Sequence, residues 1–167
     1  MAKAQNRQHV RVEKRDTTPI QNAAIFVALA FVLIGVLGFL PGVTTGYDGM
    51  EVVGHHSEAK LFGIFQVSVV HNLVHLAFGL VGMFMSWFAL GARIFLVAGG
   101  LVYLLLGVYG LFIEEGDAAN FLPMNTADNW LHLGLAVAMI GLGLLLRTEP
   151  TVRSTDDVGD TARGPAG

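Results

Sequence analysis

Four long stretches without a charged side chain constrain the fold of this chain more than any other feature. Asp, Glu, Lys and Arg are absent from 17–47, 61–92, 94–113 and 129–146. Each stretch is long enough, or nearly so, to cross about 30 Å of hydrocarbon as a helix that rises about 1.5 Å per residue. A soluble four-helix bundle needs a polar stripe on each helix. The third stretch offers only Tyr103 and Tyr109 as polar side chains, so the sequence disfavours a soluble bundle.

The sequence therefore predicts the all-α class, as an integral membrane four-helix bundle. Only 14% of the 167 residues are charged and 53% are hydrophobic, whereas soluble domains carry about 25% charged residues. The predicted membrane domain covers residues 20–147, and its spans lie at about 23–40, 73–90, 94–113 and 130–146. Residues 1–19 are predicted to be a basic cytoplasmic segment. Residues 148–167 have few apolar side chains and are predicted to be a disordered cytoplasmic tail.

Basic residues are concentrated on one side of the predicted membrane. Nine of the ten lie there: Lys3, Arg7, Arg11, Lys14, Arg15, Arg93, Arg147, Arg153 and Arg163. Arg93 is placed in a short loop between spans two and three, and Lys60 is the one basic residue on the opposite side. The positive-inside rule then predicts a multi-pass cell-membrane protein with both termini in the cytoplasm. Its expected partner is the lipid bilayer, and no nucleic acid is expected.

The motif Asn-x-x-His-Leu occurs twice, at Asn72–Leu76 and at Asn129–Leu133, 57 residues apart (129 − 72). Each copy stands near the start of a long apolar stretch. This repetition predicts that the bundle is built from two parallel helical-hairpin repeats related by a pseudo-twofold axis along the membrane normal. In that arrangement His75 corresponds to His132, and His71 corresponds to Asp128.

The polar residues near the motif permit several kinds of site. His71 and His75 share a helix face, as do Asp128 and His132, because each pair is four residues apart. If spans two and four face each other, these four side chains converge and suit zinc or another divalent metal. His75 and His132 alone could be axial ligands of a haem, or could respond to pH. The sequence contains no cysteine, so thiolate ligands are excluded.

A structural role explains the same residues. Asn72, Asn125, Asp128 and Asn129 stand near predicted helix starts, where their oxygens can cap free N–H groups. His75 and His132 are expected to bond to the apolar segments 62–68 and 121–126, which we predict to fold over the outer end of the bundle. On this hypothesis no cofactor is bound, while haem and a divalent metal are the alternatives. No catalytic residue is predicted, since phosphate-binding loops, nucleophile elbows and metalloprotease helices are absent from the sequence.

Two segments of the chain also resemble a known family. They are Phe62-Gly63-x-Phe65 followed by His71-Asn72-x-x-His75, and Leu122-Pro123-x-Asn125-x-Ala127-Asp128-Asn129-x-x-His132. Over about residues 20–146 the chain resembles a four-span bacterial membrane family, chiefly actinobacterial, that is classed as a domain of unknown function. The resemblance implies the architecture and brings no established activity.

The sequence favours a non-catalytic membrane scaffold or accessory subunit that associates with other membrane proteins or with itself. It does not by itself decide whether the chain is an enzyme. The alternative is a redox or ligand-binding membrane protein that uses His75 and His132.

Overall fold

The computed structural model describes residues 17–149, and four α-helices make up most of this described part. The helices are α1 (Pro19–Leu37), α2 (Val69–Met85), α3 (Ala89–Phe112) and α4 (Thr126–Leu145). Most of the predicted basic segment 1–19 and of the predicted tail 148–167 lies outside the described residues. The structure thus describes the predicted membrane domain almost completely.

Helices α1, α3 and α4 are long and apolar enough to cross a membrane, whereas α2 is a shorter apolar helix of 17 residues. Helices α2 and α4 each begin four residues before the predicted spans, at Val69 and Thr126. The cause is helix capping. The hydroxyl of Ser68 accepts a hydrogen bond from the backbone N–H of His71 at 3.1 Å, which lets the polar residues that follow Ser68 join the first turns of α2.

The turn between α2 and α3 is as short as predicted, three residues, but lies five residues earlier in the chain, at 86–88 and not at 91–93. Helix α2 ends at Met85, and α3 begins at Ala89. Arg93 therefore lies in the first turns of α3, and the prediction that it sits in the loop was wrong. Its Nη2 donates a hydrogen bond to the carbonyl oxygen of Leu146 at 3.2 Å, so the Arg93 side chain joins the start of α3 to the end of α4.

Glycines bring each helix close to the next one along the chain. Four of them face a side chain of the neighbouring helix: Gly35 faces Leu76, Gly38 faces Asn72, Gly107 faces Leu133, and Gly110 faces Asn129. A Cβ atom at Gly35 or Gly107 would lie 2.7 or 2.8 Å from the leucine it faces, which is too close for a real contact. Helices α1 and α2 thus pack as one hairpin, and α3 and α4 pack as another.

The two hairpins meet mainly through α1 and α3. Phe31 and Tyr103 are both buried at this interface, and their ring centroids are 5.1 Å apart. The predicted site requires spans two and four to face each other, yet the backbones of α2 and α4 make fewer contacts than those of α1 and α3. They approach each other instead through long side chains at one end of the bundle.

That end is where α1 and α3 finish and α2 and α4 begin, and we call it the capped end. The loop 38–68 covers part of it with three two-residue strands, β1 (Thr44–Thr45), β2 (Lys60–Leu61) and β3 (Phe65–Gln66). They form one antiparallel sheet in the order β1-β2-β3. The predicted all-α class therefore needs correcting, since a mainly helical protein carries a small sheet in this loop.

A small apolar core holds the loop to the bundle. Ala59, Leu61 and Val67 are buried in it and pack near the end of α1, against Ile34 and Leu37. The turn between β2 and β3 uses left-handed backbone, with φ of 54° at Phe62 and 72° at Gly63. A second loop, 113–125, covers the rest of the capped end before α4.

Candidate functional site

Three histidines converge inside the capped end. His71 is the third residue of α2, His75 is the seventh residue of α2, and His132 is the seventh residue of α4. All three are buried, and one ring nitrogen from each lies within 4.8 Å of the other two. The rings of His71 and His75 are stacked with centroids 4.7 Å apart, and those of His71 and His132 are 6.4 Å apart. The predicted convergence of α2 and α4 side chains is therefore present.

Asp128 was predicted to join these histidines as a metal ligand. Its carboxylate oxygens do not belong to the group of ligand atoms that lie close to one another, which consists of nitrogens of the three histidines. Its Oδ2 accepts hydrogen bonds from the backbone N–H groups of Gln66 at 3.0 Å and Asn125 at 2.9 Å. The Asn125 side chain in turn accepts a bond from the Asp128 N–H at 3.1 Å, which completes a capping box at the start of α4. Asp128 and Asn125 thus have the capping role that was predicted for them.

The capped end also contains hydrogen bonds that cross from one hairpin to the other. Nδ1 of His71, in α2, lies 3.3 Å from the carbonyl oxygen of Pro123, in the loop before α4. In the other direction, Asp128 of α4 accepts the bond from Gln66 in the loop before α2. The Asn125 side chain donates to the carbonyl oxygen of Ile64 at 2.7 Å. These bonds tie each loop to the opposite hairpin.

His75 and His132 differ from the prediction that both would bond to the loops. Nδ1 of His75 lies 3.0 Å from the carbonyl oxygen of His71, one turn earlier in the same helix. Nδ1 of His132 is buried and has no hydrogen-bond partner within residues 17–149. The ring that reaches a loop is that of His71, since its position at the start of α2 brings it closer to the loop before α4.

Asn72 and Asn129 are not helix caps, contrary to the prediction. The N-caps of α2 and α4 are Ser68 and Asn125, which leaves Asn72 and Asn129 one turn inside the helices. Nδ2 of Asn129 donates to the carbonyl oxygen of Gly110 at 2.8 Å. The buried amide of Asn72 packs against Gly38 and has no hydrogen-bond partner among the residues that the structure describes. Sequence reasoning missed Ser68, which is also a residue type that caps helices and was as good a candidate as Asn72.

Two aromatic rings that the sequence analysis did not select complete the site. Phe31 lies 5.7 Å from the ring of His75, and Tyr103 lies edge-on to the ring of His132 at 5.1 Å. Both aromatic residues sit in the middle of apolar helices, where a core role is the ordinary expectation. Only the packing of α1 against α3 reveals that they separate the histidines from the rest of the bundle.

Two spaces adjoin the histidines. A cavity of about 170 Å³ is lined by His71, His75, Asp128 and His132 together with apolar side chains of the loop 38–68 and of α1 and α4. A second space, of about 20 Å³, lies between the three histidines and Tyr103 and has room for about one water molecule. The arrangement suits one small ion or ligand held by imidazole nitrogens.

Apolar helices joined at one end by a buried polar layer define a helical protein with membrane-spanning segments. The chain belongs to the DUF4383 family, described as a domain of unknown function, because the family model matches residues 21–145. The predicted resemblance to a domain of unknown function is thereby confirmed. No curated protein and no solved structure matched the chain.

Proposed function

We propose that the protein is a non-catalytic integral membrane scaffold or accessory subunit. One observation carries this proposal: the buried polar side chains of the capped end bond the two hairpins to each other. His71 reaches Pro123, Asp128 reaches Gln66, and Asn125 reaches Ile64. Polar side chains engaged in such bonds stabilise an assembly of apolar helices, which is the property that a scaffold needs.

The proposed scaffold consists of two parallel hairpin repeats. Equivalent contacts recur at constant spacing in the two hairpins: Gly38 with Asn72 and Gly110 with Asn129, Gly35 with Leu76 and Gly107 with Leu133. The glycines of each matched pair are 72 residues apart (110 − 38 and 107 − 35), and their partners are 57 apart (129 − 72 and 133 − 76). The crossing bonds obey the same spacing, since Gln66 corresponds to Pro123 and His71 corresponds to Asp128 (123 − 66 and 128 − 71). This agreement supports a duplication.

We further propose that all four helices span a bacterial cell membrane, with both termini in the cytoplasm. The 17 residues of α2 rise about 25 Å, which is at the short end of what a bilayer requires. The loops of the capped end are acidic, with Asp48, Glu51, Glu58, Glu114 and Asp117 among their residues. Arg93 and Arg147 lie at the opposite end. This charge distribution supports an outward-facing capped end.

The apolar faces of the helices offer a surface for lipid and for protein partners. Leu105 in α3, which is 70% exposed, is one of the side chains on this surface. A scaffold uses part of such a surface to bind another membrane protein or a second copy of itself, and the bilayer covers the rest.

Site-specific photo-crosslinking in intact cells tests the scaffold role. A leucine-sized diazirine residue is placed at Leu105 and, as the matched control in the same helix, at Leu96, which is 0% exposed. A scaffold should give a protein adduct of defined mass from Leu105, or from a second exposed position such as Leu144, and only intrachain products from Leu96. Adducts with lipid alone at every exposed position around the bundle would contradict the proposal.

The second candidate function is ligand binding through the histidines. The sequence predicts His75 and His132 as the pair that binds the ligand. The convergence of three imidazoles favours this alternative in its metal-binding form. A haem bound by His75 and His132 would give the purified protein a Soret band.

A further inference from the structure

We propose that His71, His75 and His132 bind one divalent transition-metal ion, with zinc as the first candidate. One nitrogen from each ring already lies within 4.8 Å of the other two. Zinc held by imidazole at about 2.0–2.1 Å needs nitrogens about 3.3 Å apart in a tetrahedral site. Modest side-chain rotation closes the three rings around one ion. The proposal does not depend on the scaffold role.

Backbone carbonyls prepare two of the three rings for a metal ion. Nδ1 of His71 contacts the carbonyl oxygen of Pro123, and Nδ1 of His75 contacts that of His71. A carbonyl oxygen only accepts, so Nδ1 of each ring carries the proton and Nε2 keeps the lone pair that a metal binds. Metal-binding histidines usually donate their other N–H to a carbonyl or a carboxylate in this way.

His132 provides an independent observation that points to a ligand. Its Nδ1 is buried without a hydrogen-bond partner in the described part of the chain, whereas buried polar atoms are normally paired. Coordination to a metal ion satisfies a ring nitrogen as a hydrogen bond does. Tyr103 packs edge-on to this ring and limits how far it can turn.

The surroundings also suit a doubly charged ion. Three neutral imidazoles bring no negative charge, and Asp128 is the one acidic side chain among those that line the 170 Å³ cavity, where a bound cation would favour its ionised form. The cavity has room for water as a fourth ligand, since one water occupies about 30 Å³ in the liquid. Three histidines with an open fourth position are a common protein arrangement for zinc.

The ligand type narrows the choice of metal. Imidazole nitrogen favours zinc, copper, iron and nickel, whereas magnesium and calcium prefer oxygen ligands. The space between the three histidines and Tyr103 is about 20 Å³, so a haem would have to push the hairpins apart. A single ion fits without that movement.

Zinc titration of the full-length protein in detergent, after stripping with a chelator, tests the site. The wild type should bind one zinc per chain. His132→Gln should weaken binding at least tenfold, and it should fold normally because Nδ1 of His132 makes no hydrogen bond within residues 17–149. The matched control is the triple variant H9Q/H55Q/H56Q, which removes the other three of the six histidines. It should bind one zinc with the affinity of the wild type.

Cobalt(II) gives a second readout that does not depend on affinity alone. The wild type and the triple control should show the visible absorption of tetrahedral cobalt, and His132→Gln and His71→Gln should lose it. At the same concentration, zinc should also raise the melting temperature of the wild type more than that of His132→Gln, since stabilisation by a ligand falls as its affinity falls.

Three results would overturn the proposal. They are a wild type that binds no stoichiometric zinc, zinc binding that survives the H71Q/H132Q double variant, and zinc binding that is lost in the triple control. None of them bears on the photo-crosslinking from Leu105, so failure of the metal site and failure of the scaffold role can be told apart.

Discussion

Phe31 and Tyr103 contact each other across the interface of α1 and α3, and each ring also contacts one histidine of its own hairpin. Phe31 meets His75, and Tyr103 meets His132. The two aromatic residues are 72 residues apart (103 − 31), the same spacing that separates Gly38 from Gly110. The four rings therefore form a buried layer that continues the matched contacts of the two hairpins and closes the polar site on the side of the bundle core.

The close approach of the helices at Gly110 predicts a specific loss of stability. Gly110→Ala should lower the free energy of unfolding by roughly 1–3 kcal/mol, because the new methyl group overlaps the Asn129 amide. Gly38→Ala should act in the same direction through Asn72. Gly141→Ala, where no neighbouring atom lies within 4 Å of the new methyl group, is the control and should not destabilise the protein, since alanine favours a helix more than glycine does. Thermal unfolding in detergent measures all three, and equal melting temperatures would contradict the packing argument.

The capping box of α4 predicts an unequal effect of two acidic residues. Asp128→Ala should cost roughly 1–3 kcal/mol, because it removes the acceptor for the buried N–H of Gln66 as well as the bond to Asn125. Glu114→Ala is the control, since Glu114 is exposed in the second loop. Denaturant unfolding gives both values. A loss at Glu114 as large as the loss at Asp128 would show that overall charge, and not the cap, sets the stability.

The charge distribution predicts which end of the bundle faces outward. Because the chain has no cysteine, a single introduced cysteine is the one position in the chain that a maleimide can label. A cysteine at Glu114, in the acidic loop of the capped end, should react with a membrane-impermeant maleimide in intact cells. A cysteine at Ala2 should react only after the membrane is opened. The reverse pattern would place the capped end in the cytoplasm.

Much of the helical framework is predictable because charge-free apolar stretches of this length have few alternatives in water. The starts of α2 and α4 were less predictable. Ser68 and Asn72 stand four residues apart before the same apolar stretch, and composition does not choose between them as caps. The strands β1–β3 have two residues each, too few for an alternating pattern to show.

The repeated motif predicted that the histidines converge. It did not predict which group each histidine bonds to. Whether His71 or His75 reaches the loop before α4 depends on ring direction and on how the hairpins cross. The hairpins meet through α1 and α3, and glycines on all four helices made several pairings equally plausible from the sequence. Phe31 and Tyr103 were missed for the same reason, since only that pairing brings them beside the histidines.

The histidines differ in their hydrogen bonds, which predicts that two similar substitutions lower the stability of the metal-free protein by different amounts. His71→Leu should destabilise the protein by roughly 1–3 kcal/mol, because it removes the bond that joins α2 to Pro123 and leaves a buried carbonyl unpaired. His132→Leu should be nearly neutral, because its Nδ1 gives up no hydrogen bond within residues 17–149 and leucine can keep the packing against Tyr103 and the apolar side chains around the ring. Thermal unfolding after chelation measures the two, with His56→Gln in the exposed part of the first loop as the control. If His132→Leu proves the more damaging of the two under these conditions, the His71–Pro123 bond is not what joins the hairpins at this point.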